Sequence, residues 1–336
     1  MISVGLIGAG RIGVLHGRNM AVSPGIRLAG VADAVPEAAS MLAGDLDVPV
    51  RSVEQLIHDE HIDAIVICSS TDTHADLIEA AMLAGKAVFC EKPVDLSSDR
   101  IRSCLGRVKS TGRPLMIGFN RRFDPHFSAL RAHLRNGDIG ELELLTITGR
   151  DPSPPPVSYV KRSGGIFRDM MIHDFDMARF LLGEEFVEVH AVGSALIDAE
   201  IGKVGDVDTA AVMLKTASGK ICQISNSRRS TYGYDQRVEV HGSRGMLQVQ
   251  NIPETMISHA GTTGVHKGRY VEFFLERYAV AYERELQHFF DCMREGRSPS
   301  PTGEDGLRAQ MIADAATIAS QTGQPQKLPK DAVAGI

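Results

Sequence analysis

Through residue 118 the chain alternates short apolar runs with segments that place an apolar side chain every three or four positions. Residues 2–7 and 26–32 have the pattern of strands, and 12–20 between them the pattern of a helix. A helix is expected over 35–44, with Pro36 suited to its first turn, followed by an extended piece at 48–51. Ser52 with Gln55 three residues on forms a capping box for the helix bearing Leu56 and Ile57. Residues 64–68 are almost continuously apolar, as a strand covered on both faces requires. Thr73 with Asp76 is a second capping-box candidate, opening a helix over 75–84 that Gly85 ends. A strand at 87–90, a helix at 98–110 capped by Ser97 and a sixth strand at 114–118 complete the series. Such alternation predicts helices packed on a parallel sheet.

Beyond 118 the alternation stops, which places a domain boundary there and predicts domains at 1–118 and 119–336. A helix is expected at 125–136 and a half-buried strand at 141–149, whereas residues 151–158 contain four prolines and must be loop. Strand patterns recur at 187–194, 209–214, 219–227, 236–241 and 245–250, joined in places by hairpin-like Gly, Asp and Ser. Long helices are expected at 165–182, 271–295 and 305–321. The fold class is therefore α/β: a domain of helices on a parallel sheet, then an α+β domain with a mostly antiparallel, open sheet.

Composition narrows the function classes. With 43% hydrophobic and 23% charged residues in a chain of 336, two ordinary globular cores are expected. The net charge of −6 gives no basic footprint for nucleic acid. No run of eighteen apolar residues is present, so no membrane span is expected, and Met1 is followed almost at once by the first strand, which leaves no room for a signal peptide. A cytoplasmic protein follows. The five cysteines are scattered and odd in number, which predicts buried free thiols and no metal site.

The candidate chemistry begins at Gly8, Gly10 and Gly13, spaced G-x-G-x-x-G between the first strand and its helix. Gly8 permits the tight turn, Gly10 lets a pyrophosphate approach the backbone, and Gly13 lets helix and strand pack closely. Arg11 and Ile12 lie in the same turn, at the helix N-terminus where phosphates would sit. Asp33, twenty residues beyond Gly13, ends the second strand, where a carboxylate accepts from ribose hydroxyls and repels a 2′-phosphate. NAD is thus expected over NADP. At the carboxyl ends of later strands stand Ser69, Ser70, Thr71 and His74, then Glu91, Lys92 and Pro93, all expected near the cofactor. The proline restricts Lys92 to an extended backbone, and a cis bond there is one way to aim it.

Asp169 and His173 are four apart and share a face of the helix expected over 165–182, with Asp176 close to it. Alone, such a pair is a surface contact worth a few tenths of a kcal/mol. Beside a cofactor domain it becomes a base for a hydroxyl proton, because histidine titrates near neutral pH. Asp169 would orient the ring and Lys92 would stabilise a developing alkoxide. Asn120, Arg121 and Arg122 after the sixth strand, and Asn226 and Tyr234 in the second domain, are candidates to reach a substrate.

The fingerprint, Glu91-Lys92-Pro93 and Asp169-x-x-x-His173, in this order and spacing, resemble the Gfo/Idh/MocA oxidoreductases over almost the whole chain. The resemblance extends to Gly118-Phe-Asn-Arg-Arg-Phe-Asp124 and Gly164-Gly-Ile-Phe-Arg-Asp-Met-Met-Ile-His-Asp-Phe-Asp176. It implies a Rossmann domain binding NAD, Lys92, Asp169 and His173 as the catalytic residues, and a cyclic polyol as substrate; that Asn120, Arg122 and Tyr234 touch that substrate is expected from their positions alone, an ordinary surface contact being the alternative. It also implies a homotetramer built through the open sheet. A dehydrogenase for another sugar and a sensor that binds NAD and a sugar without turnover are the alternatives.

Overall fold

The computed structural model describes residues 1–329. The described residues divide into two compact units, 1–120 with 281–310, and 121–280 with 311–329.

In the first unit, β1 (Ile2–Ile7), α1 (Arg11–Val22), β2 (Ile26–Ala32), α2 (Pro36–Leu46), α3 (Val53–His58), β3 (Ala64–Ile67), α4 (His74–Leu83), β4 (Ala87–Glu91), α5 (Ser98–Val108) and β5 (Leu115–Gly118) follow one another. The sheet order is β2-β1-β3-β4-β5, and every pairing is parallel. Its central strands are buried throughout, which is why they read as unbroken apolar runs. The expected sixth strand is the fifth: residues 48–51 make only an isolated bridge, Val50 to Val31. Pro49 lacks the N–H needed to extend that ladder.

Both sides of the Ser52 capping box are made, at 3.1 Å for Gln55 N–H to Ser52 Oγ and 2.9 Å for Ser52 N–H to Gln55 Oε1. The Thr73 box is not. A 3₁₀ turn at Thr71–Thr73 precedes α4, and Thr73 Oγ1 instead donates to the Ser70 carbonyl and lies 2.7 Å from Ser69 Oγ.

The second unit opens with α6 (Pro125–Arg135), β6 (Leu142–Arg150), α7 (Val157–Ser163), α8 (Gly165–Asp169), α9 (Ile172–Leu182), β7 (Phe186–Ser194) and α10 (Ala199–Lys203). It continues with β8 (Thr209–Thr216), β9 (Ile221–Ser227), β10 (Asp235–Gly242), β11 (Gly245–Val249), the hairpin β12 (Ser258–Gly261) and β13 (Gly264–Lys267), and α11 (Phe274–Arg277). With β14 (Gln326–Lys327) its main sheet has seven strands in the order β11-β10-β6-β9-β8-β7-β14, antiparallel except for β6 with β9. Alternate residues face a core that includes Leu145, Ile147, Val212, Leu214, Ile224 and Val238, and the others are largely exposed.

Two expected helices are interrupted. Over 165–182 the ladder slips at the methionines, where Met171 N–H reaches back five residues to the Ile166 carbonyl and α9 restarts at Ile172. Over 271–295 the buried Tyr278, with φ −114° and ψ 15°, separates α11 from α12 (Ala279–Glu295). Residues 281–310, which hold most of α12 and the start of α13 (Gly303–Thr322), belong to the first unit, whereas the sequence pattern assigned them to the second domain. Leu286, Phe289 and Phe290 on α12 are buried there, and the Phe289 ring meets Phe89 of β4 edge-on at 6.0 Å. Each such side chain contributes roughly 1.5–3 kcal/mol.

Candidate active site

The register of the parallel sheet brings the predicted cofactor residues to one rim. Ile7 pairs with Ala32 and Ile67, Ile67 with Cys90, and Glu91 with Gly118. The residues that follow these strands therefore leave the sheet at the same edge: Gly8, Asp33, Ser69, Lys92 and Asn120. Ligands bind outside the carboxyl ends of such sheets.

The three glycines have three different surroundings. A Cβ on Gly8, whose φ is +104°, would lie 2.4 Å from the Cys68 backbone, and one on Gly13 would lie 1.9 Å from the Gly8 carbonyl oxygen. A Cβ on Gly10 would meet nothing within 4 Å. Two glycines thus close the turn, and the middle one leaves its outer face open. Gly10 is also the N-cap of α1, which has no side-chain cap and no acidic residue in its first turn. Uncapped N–H groups, a clear approach and no opposing charge fit a pyrophosphate. Arg11 is exposed and Ile12 half-buried beside it.

Asp33 binds this turn together from within. Its Oδ2 accepts from Ala9 N–H at 2.6 Å and its Oδ1 from Val35 N–H at 2.7 Å. A carboxylate has further lone pairs, so these bonds orient it without exhausting it. Ser69, Thr71 and Lys92 are half-buried and Ser70 exposed along the rim. His74, expected beside the cofactor, is 2% exposed. Its Nδ1 lies 2.7 Å from the Pro93 carbonyl and its Nε2 3.0 Å from the Ser69 carbonyl, so the ring ties together the loops after β3 and β4. Burial lowers its pKa, outweighing the two carbonyls that favour the charged form. The Lys92–Pro93 peptide bond is cis. Glu91 turns its carboxylate inward to His16 Nε2, at 2.8 Å. Asn120 is buried, with its Nδ2 unpartnered.

In the second unit Asp169 ends α8 and His173 lies in the first turn of α9, both half-buried. Tyr159 donates to Asp169 Oδ1 at 3.0 Å, and the Arg228 guanidinium lies 3.6 Å from its Oδ2. Arg228 is 1% exposed and also lies 3.8 Å from Asp206, whose Oδ1 accepts from Ile166 N–H at the start of α8. One buried cation therefore lies within 4 Å of a carboxylate at each end of the short helix that carries Asp169. Asp151 also belongs to this group: burial raises its pKa to about 6, and Arg228 restrains the rise.

Beneath α9 lies a polar row in which Arg121, Asn226 and Tyr234, expected to reach a substrate, are bound to buried partners, and to which Asp174 and Gln236, not singled out by the sequence pattern, also belong. Asp174, fully buried, accepts from Arg121 Nη1, from Gln236 Nε2 at 2.9 Å and from Asn226 Nδ2 at 2.8 Å. Gly149 pairs with Asn226 on one side and Gln236 on the other, and a Cβ there would lie 3.0–3.3 Å from Gln236, Asn226 and Asp174. Arg121 also donates to Tyr234 OH at 3.3 Å, and the Tyr234 ring meets Tyr278 edge-on at 6.0 Å. Tyr234 is thus a buried member of this network. Arg122, expected to reach a substrate, makes two hydrogen bonds to Asp176 and lies over the Phe180 ring. Its fork holds the turn after β5 to α9.

Residues 2–119 match the family model described as an oxidoreductase family with an NAD-binding Rossmann fold, and residues 127–248 match the GFO/IDH/MocA C-terminal domain. The chain is 53% identical to the inositol 2-dehydrogenase of Rhizobium meliloti (strain 1021), over 94% of this chain and 96% of that one. The crystal structure of a myo-inositol dehydrogenase from Corynebacterium glutamicum ATCC 13032 superposes with a TM-score of 0.94 at 42% identity, covering 98% of this chain and 99% of that one. A scyllo-inositol dehydrogenase from Lactobacillus casei, solved with NAD(H) and scyllo-inositol, gives a TM-score of 0.91 at 28% identity, over 97% of this chain and 99% of that one.

Proposed function

Because this chain belongs to the GFO/IDH/MocA oxidoreductases, whose first domain is an NAD-binding Rossmann fold, we propose that it oxidises one secondary hydroxyl of myo-inositol to the ketone. The near-full-length likeness to an inositol 2-dehydrogenase carries the choice of substrate. The open face at Gly10 and the uncapped start of α1 support NAD as the acceptor.

Bound NAD supplies the hydride acceptor. The chain's own residues manage the proton and the oxygen. His173 takes the hydroxyl proton, Asp169 orients the imidazole and steadies its charge, and Lys92 donates to the oxygen as negative charge develops. Arg228 and Tyr159 support this assignment by holding Asp169. Asp33 holds the adenosine ribose, Ser69, Ser70 and Thr71 line the approach, and Asn120 and Tyr234 contribute hydrogen bonds to a neutral, hydroxyl-rich ring.

The uncovered face of the seven-stranded sheet presents Val192, Met213, Ile221 and Met246 at 67%, 47%, 40% and 49% exposure. Cross-strand pairing puts the first three in adjacent rows with Ala211, Gln223 and Lys215, a patch suited to further copies of the chain in a homotetramer. Among the described residues no helix is long and apolar enough to cross a membrane, and all five cysteines are buried free thiols, which supports a cytoplasmic setting.

The test is reduced-nicotinamide formation with NAD or NADP across myo-inositol, scyllo-inositol, glucose and a linear polyol. NAD-dependent turnover favouring myo-inositol is expected. Preference for scyllo-inositol or glucose would overturn the substrate and keep the chemistry, and NAD binding without turnover on any of them would overturn the enzyme.

A further inference from the structure

A second titratable cluster lies inside the first unit, behind the strand end that carries Lys92. His16 of α1, Glu91 of β4 and Glu285 of α12 bring one nitrogen and two carboxylate oxygens within 4.8 Å of one another, and all three side chains are buried. His16 Nε2 lies 2.8 Å from Glu91 Oε1 and 3.8 Å from Glu285 Oε1. The setting is apolar: Phe89 and Tyr282 meet the imidazole edge-on at 5.2 and 5.7 Å. Among the described residues, the other titratable groups facing the cluster include the thiols of Cys68, beyond β3, and Cys90 of β4, His74 of α4 and the Tyr282 phenol on α12.

Space for the cluster is built into the sheet. Gly118 is the register partner of Glu91, and a Cβ there would lie 3.0 Å from its carboxyl carbon. Both oxygens of Glu285 are without a hydrogen-bond partner although the side chain is 0% exposed. Two carboxylates this close in a dry site cannot both be ionised beside one imidazole without a large penalty. The 2.8 Å between His16 Nε2 and Glu91 Oε1 is the length of a direct hydrogen bond.

We propose that His16, Glu91 and Glu285 form one buried unit in which Glu285 is a carboxylic acid beside the ionised Glu91, and that this unit fixes the end of β4 and so positions Lys92. His16 with its hydrogen on Nε2 donates to Glu91, and the neutral Glu285 closes the site without a second negative charge. Burial and the nearby Glu91 charge both push the Glu285 carboxyl well above its ordinary range. Glu285 is a positioning residue that acts through Glu91. The positioning role rests on the assignment of Lys92 to catalysis, whereas the protonation state does not.

Infrared difference spectra of the whole protein, wild type minus E285Q at pH 7, should therefore show a buried carboxylic-acid band that the variant lacks. No such band overturns the proposal whether or not inositol is the substrate. Glutamine copies the shape of the neutral acid, so E285Q should keep kcat and the KM for NAD within about twofold. Glu285→Ala should lower kcat about ten- to hundredfold with little change in the KM for NAD, the effect of a displaced reacting group. E285Q as impaired as E285A, or one equivalent of metal bound by the wild type and absent from E285Q, would overturn the proposal. If E285A does not fold, the spectrum, the E285Q kinetics and the metal analysis still decide.

Discussion

The rim of the five-stranded sheet and the polar row across the seven-stranded sheet position their groups by different means. At the rim, each candidate residue follows a strand directly, and parallel pairing alone brings Gly8, Asp33, Ser69 and Lys92 to one edge. In the second unit, Asp169 and His173 stand on two short helices held from below by Arg228, Arg121, Asn226 and Gln236, which come from distant parts of the chain. Outside the glycine turn, a rim built on backbone register keeps its outline when a side chain changes. A site built on a buried polar network does not, because each lost partner leaves another group unsatisfied.

The largest effect should separate the two regions by function. His173→Ala is expected to reduce kcat about a hundredfold to ten-thousandfold while NAD affinity, read from nicotinamide fluorescence, stays unchanged. An equal loss of NAD affinity would end the separation. Next, Asp174→Ala leaves the Arg121 guanidinium buried without its carboxylate and should cost the second unit about 3–5 kcal/mol in urea unfolding. A cost below 1 kcal/mol would show that the polar row is not what holds α9.

At the rim, Asp33→Ser should raise the Kd for NAD about tenfold or more, as expected for lost hydrogen bonds to a charged group, and narrow the preference over NADP. The smallest effect concerns Asp151. Its folded pKa, about 6, is raised, so its contribution is fully present below the unfolded value and is lost as pH rises toward 6. Wild-type stability relative to Asp151→Asn should thus fall by about 1–2 kcal/mol between pH 4 and 7, less than the full shift implies because the side chain is only half-buried. Parallel pH curves would remove Asp151 from the charged group around Arg228.

What could be read from the residues divides along the same line. The glycine turn, the Ser52 capping box and the strands at 26–32 and 64–68 are set by neighbours within a few positions, and the structure has them where the pattern put them. The break between α8 and α9, where Met171 N–H reaches the Ile166 carbonyl, leaves no mark in the apolar repeat, because Met170 and Met171 are good helix formers. Asp174 does not stand out in the sequence from Asp169, His173 and Asp176, since only the pairing of Gly149 with Asn226 and Gln236 shows what lies beneath it. Glu91 was legible as part of Glu91-Lys92-Pro93 and illegible as the partner of His16, 75 residues away.

The return of residues 281–310 to the first unit has a consequence for biosynthesis. A ribosome emits residues 1–120 and then 160 others before that segment, a delay of roughly ten to thirty seconds at about 5–20 residues per second. Through that interval the glycine turn is already complete, yet the bed that receives Leu286, Phe289 and Phe290 is bare and His16 and Glu91 lack their third member. The nascent first unit therefore carries an uncovered apolar bed, and its core is complete only when a late helix arrives to cover it.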